Sequence, residues 1–92
     1  MIERTEAGLR VTVPMLVPNA AALLTAGNAV FSENFETIDL AAVENADSSA
    51  LAVMLGWLRA AESAGRQLRF INLPAGVKAL AVLYGIDKLL PV

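Results

Sequence analysis

Two strand-like runs bracket one long helix-like run in the middle of this sequence, and that arrangement constrains the fold more than any other feature. Glu36-Thr37-Ile38-Asp39-Leu40 reads as a strand, within a run that begins at Phe35. A short polar link through Glu44, Asn45 and Ala46 follows, and Asp47 then opens a long apolar segment with no proline in it. Gln67–Asn72 returns to a strand-like pattern, apolar at Leu68, Phe70 and Ile71. Strand, helix and strand in so short a stretch predict a crossover unit, and strands joined by crossovers lie parallel in one sheet.

The helix-like run has clear ends. Asp and Ser are good N-terminal capping residues, because their side-chain oxygens accept hydrogen bonds from the first free backbone N–H groups. The helix is expected to start at Ser48 or Ser49 and to run to about Ala64, with Gly65 as the residue that ends it. Its start carries partial positive charge and free donors, which suits a phosphate or an acidic partner group. Leu51, Met54, Leu55 and Leu58 form one apolar face, and Val53, Gly56, Trp57 and Ala60 lie on a second arc that is also apolar or small. A helix apolar nearly all round is either buried on all sides or docked on a partner. In so small a domain, partial docking is the expectation, with Trp57 balanced evenly between core residue and interface anchor.

The remaining segments fit around this unit. Ile2–Thr5 reads as a short edge strand, and Glu6-Ala7-Gly8 as a turn. Leu9-Arg10-Val11-Thr12-Val13 alternates as a half-buried strand does, and Pro14 ends its pairing. Asn19 reads as the cap of a helix running to about Ser32, with Ala20, Leu23, Leu24, Gly27, Val30 and Phe31 at helical spacing. Gly27 either shortens that helix or permits close packing. Asp39 reads as a solvated turn residue. Pro74 suits the first turn of a last helix, whose expected inner face is Val77, Leu80, Ala81 and Tyr84 and which Gly85 closes. The expected fold is α/β, a four-stranded mixed sheet with packed helices, in a single domain over residues 1–92.

Composition removes several function classes. Of the 92 residues, 57% are hydrophobic and 17% charged, so the chain is not disordered and must expose apolar area that hints at a partner. Its net charge of −2 without a Lys/Arg run argues against nucleic acid. There is no Cys and no His, which removes disulfides, the commonest general base and the commonest transition-metal ligand. No acidic cluster has metal-ligand spacing and no Gly-rich phosphate loop is present. Asp47 beside Ser48 lacks the third group that would orient a base. No catalytic residue, metal or cofactor is therefore expected. No apolar run reaches the roughly 20 residues of a membrane span and no signal-peptide pattern opens the chain, so a cytoplasmic protein is expected.

The run Asp47-Ser48-Ser49-Ala50-Leu51-Ala52-Val53-Met54-Leu55-Gly56 resembles the signature of STAS domains, small modules named after sulfate transporters and anti-sigma factor antagonists. The resemblance spans about Leu9 to Leu90. Within the family, Leu68–Pro74 and Leu83–Ile86 look closest to the MlaB branch, the STAS subunits of phospholipid-transport ABC systems. Antagonist members usually carry a Gly-Glu-Leu-Asp-like turn where this chain has Met15-Leu16-Val17-Pro18, and a Gly where it has Ala50. The resemblance implies a non-enzymatic subunit that binds the ATPase of such a transporter, placed at the inner membrane through that partner. It also implies an alternative, an anti-anti-sigma factor that binds an anti-sigma kinase and is phosphorylated on Ser48. Asp47, Ser48, Ser49, Ala52, Val53, Gly56 and Trp57 are the expected partner-binding residues.

Overall fold

Alternation of apolar and polar residues in the strands builds a sheet with one covered face. The computed structural model describes residues 1–92. Its elements are β1 (Ile2–Thr5), β2 (Gly8–Val11), α1 (Val17–Val30), β3 (Phe35–Asp39), α2 (Ser49–Ser63), β4 (Gln67–Ile71) and α3 (Ala75–Leu83), followed by a short 3-10 turn at Asp87–Leu89. The strands lie in the order β1-β2-β3-β4. β1 runs antiparallel to β2, while β2, β3 and β4 are mutually parallel, which is the mixed four-stranded sheet that the sequence predicts.

Register puts Leu9 beside Ile38 and Ile38 beside Phe70, all buried on the same face. Val11 and Leu68 join them there. Successive parallel strands joined by right-handed crossovers place both connecting helices on one face, and α1 and α2 pack on each other there. The opposite face is open and carries Glu3, Arg10, Thr37, Asp39 and Arg69. The chain end covers part of the β4 edge, where the Phe70 N–H donates to the Pro91 carbonyl at 2.8 Å.

The α1–α2 contact is built around Trp57. Its indole is fully buried, stands edge-on to Phe31 at 5.8 Å between ring centres, and donates from Nε1 to the Leu23 and Leu24 carbonyls at 3.2 and 3.3 Å. Gly27 makes this approach possible, because a methyl group there would overlap the indole ring. Gly56 answers it from α2, where an added Cβ would lie 2.7 Å from Leu24 Cδ1. Gly27→Ala should therefore destabilise the chain by about 1–3 kcal/mol through overpacking, although alanine by itself favours a helix by about 1 kcal/mol over glycine. A chemical-denaturation midpoint for the variant measures the balance.

Three local expectations change. α1 starts at Val17, with Leu16 rather than Asn19 in the cap position, because Pro18 fits the first helical turn. β2 ends at Val11, two residues short of the expected Val13. Tyr84 is 56% exposed and takes no part in the inner face of α3, whose buried residues are Val77 and Ala81. Gly65 adopts φ 70° after α2, the left-handed conformation a helix-ending glycine supplies.

Glu36 is a buried acid that the strand pattern did not single out. Its side chain points to the covered face at the end of α1, where Arg4 contacts both carboxylate oxygens at 3.2 and 2.9 Å. The Ser32 and Glu33 N–H groups donate to the same carboxylate at 3.1 and 3.3 Å. Burial pushes this carboxyl up, but the Arg4 and backbone hydrogen bonds outweigh it and hold it below its ordinary value. A carboxylate held low in the folded state adds stability above its unfolded pKa and loses it as pH falls through the folded value. Thermal melts from about pH 5 downward should show Tm falling less steeply in Glu36→Gln than in the parent chain.

Candidate functional site

The start of α2 sits at the carboxyl end of the parallel strands, beside the start of α1. An isolated parallel bridge between Met15 and Ala46 brings the two entry loops together, with Met15 N–H donating to the Asn45 carbonyl at 2.9 Å and Asp47 N–H to the Met15 carbonyl at 3.1 Å. Asp47 then serves both helices. Its Oδ2 accepts the Val17 N–H at 3.2 Å at the start of α1, and its Oδ1 accepts the Ser49 N–H at 2.8 Å at the start of α2. The Ser49 hydroxyl also donates to Oδ1. These bonds, the Ser49 hydroxyl first among them, hold the Asp47 carboxyl below the usual carboxylate range. A carboxylate so occupied is a weak base, and its geometry is that of a helix cap.

Ser48 and Ser49 thus differ. Ser49 is half-buried and committed to Asp47. Ser48 is exposed, and its side chain makes no capping hydrogen bond. The cap expected of Ser48 is supplied by the preceding residue, since an Asp oxygen reaches the N–H two residues on. Ala52, one turn further along α2, is exposed as well.

The second arc of α2 does not form part of this surface. Val53 is 3% exposed and Trp57 0%, so both belong to the core, and the expectation that they dock a partner is corrected. Gly56 is half-buried and faces Leu24 of α1. The arc is apolar because α1 covers it, which resolves the all-round apolarity of the helix within the chain. Asp47, Ser48, Ser49 and Ala52 remain together at one end of the domain. The link from Asp47 to Val17 had no sign in the sequence, because it depends on a bridge between residues 31 positions apart, Met15 and Ala46. At a neighbouring strand end, Asp39 Oδ1 accepts the Ala41 N–H at 2.8 Å and the Asn72 side-chain amide at 3.1 Å, so this acid fixes loops at the same end of the sheet. No helix is long and apolar enough to cross a membrane.

The fold is similar to that of a solved Thermotoga maritima structure, named as a candidate anti-sigma factor antagonist, with a TM-score of 0.75. The two sequences are 17% identical over 99% of this chain and 82% of the other, a likeness of fold. No curated protein sequence matches. Residues 2–91 match the family model described as MlaB, STAS domain, and with the capped α2 and mixed sheet this places the chain in the STAS domain family.

Proposed function

We propose that this STAS domain is a non-catalytic accessory subunit that binds the ATPase of a phospholipid-transport ABC system through the start of α2. The observation that carries the reading is the contrast between the two serines. Asp47 fixes the helix start and consumes the Ser49 hydroxyl, and Ser48 is left exposed with an uncommitted hydroxyl beside the small, exposed Ala52. Small side chains let a partner backbone approach the helix closely, and the hydroxyl both donates and accepts. The MlaB description of the matched family supports the transporter as the system. Docking would act by population: a subunit that binds the assembled ATPase more tightly than other states shifts the ATPase toward it. The reading places the chain in the cytoplasm, held at the inner membrane by its partner.

The same exposed hydroxyl supports a second reading, an anti-sigma factor antagonist whose kinase modifies Ser48. A phosphate at a helix N-terminus adds up to about two negative charges where the dipole favours them. The two readings separate in the mass of the protein purified from its native host. The transporter reading expects the unmodified mass. A phosphorylated fraction that vanishes in Ser48→Ala would replace it with the kinase reading.

A further inference from the structure

The end of the domain opposite Ser48 carries two adjoining depressions of opposite charge. One, a groove of about 520 Å³, lies between the end of α2, the start of β4 and the chain end. Arg66, Arg69 and Lys88 line it with a single acidic side chain, Glu62, leaving two positive side-chain charges in excess. The other lies over the β1–β2 turn and the entry to β3, where Glu6, Glu33 and Glu36 face only Arg4, leaving two negative charges in excess. The ion pairs of the chain, Arg4–Glu36 within the acidic recess and Arg10–Glu3 outside both depressions, use other cations, so Arg66, Arg69 and Lys88 have no intramolecular ion-pair partner. Glu6 and Glu33 are equally unpaired.

Phe35 lines both depressions and is 55% exposed. Leu89, at 65% exposure, adds a second large apolar side chain on the cationic side. An exposed aromatic flanked by equal and opposite charge is self-complementary: a two-fold rotation near the ring lays each charged side over its opposite. We propose that this surface is a two-fold interface with a second copy of the chain, Phe35 meeting its counterpart and each cationic groove covering the other copy's acidic recess. A two-fold contact is made by the same patch on both copies and closes as a dimer. Neither depression includes the start of α2, so the contact leaves Ser48 free.

Sedimentation equilibrium on the full chain tests this, using two charge-reversed variants. Arg66→Glu with Arg69→Glu makes both depressions acidic, and Glu6→Arg with Glu33→Arg makes both basic. Each variant alone should weaken dimerisation by about tenfold or more, because like charges then meet twice. An equimolar mixture of the two should dimerise about as well as the parent chain, because each groove again faces its opposite. Phe35→Asp should dissociate the parent dimer, and salt near 1 M, where the Debye length is about 3 Å, should weaken it. A parent chain that stays monomeric at every concentration in low salt overturns the proposal, whether or not the variants fold. So does a mixture no better associated than its folded components. Binding to anionic vesicles that is lost in the acidic variant, by a chain that does not dimerise, overturns it in favour of a lipid surface.

Discussion

Trp57→Ala should cost the chain about 3–5 kcal/mol of stability, the range for removing a large buried aromatic. The ring is fully buried, and its loss would leave a cavity between α1 and α2. It would also remove the edge-on contact with Phe31 and the donor that Leu23 and Leu24 share. Leu55→Ala should cost less, because Leu55 is only half-buried and packs at the margin of the core. Reading Trp57 as a docking anchor predicts the reverse order. Denaturant unfolding of both variants decides between them, with the variants' circular dichroism reporting folding once the only tryptophan is gone. A Trp57→Ala chain as stable as the parent would contradict the packing described.

Ser48→Asp should leave the fold intact and weaken partner binding by several kcal/mol. An acid at the start of α2 is favoured by the helix dipole, and Ser48 is exposed and makes no capping bond that the change would break. At a docked interface the new charge loses its water, and an uncompensated buried charge costs about 3–5 kcal/mol. Calorimetric titration of the ATPase should therefore separate the variant from the parent while their melting curves overlay. Ser49→Ala should show the opposite division. It removes the hydroxyl that donates to Asp47, leaving only backbone donors there, and lowers Tm, with less effect on the affinity of the folded fraction.

The strand–helix–strand core of the fold was legible because short-range signals agree there. Asp47, the proline-free run to Ala64, and Gly65 mark α2 within a residue or two of its ends. β3 and β4 followed from their apolar residues in the same way. The start of α1 was misplaced because Asn19 is a better cap than Leu16 in isolation, whereas Asp47, distant in sequence, supplies an acceptor for Val17. Trp57 could not be assigned from α2 alone. Its burial depends on Gly27, a residue of another helix whose missing side chain makes the space. Glu36 was hidden for the same reason: an acid in a strand looks solvated until Arg4, from the neighbouring hairpin, is brought beside it. Serines at a helix start are visible in sequence, but which one Asp47 occupies is a matter of geometry.

Purification of the tagged chain from its native host, with quantitative mass spectrometry of the bound ATPases, tests the central claim most directly. The account predicts that the ATPase of a phospholipid-transport ABC system comes with the parent chain in near-stoichiometric amount and is lost with Ser48→Asp. A histidine-kinase-like ATPase in its place, or a transporter ATPase retained equally by Ser48→Asp, would contradict it.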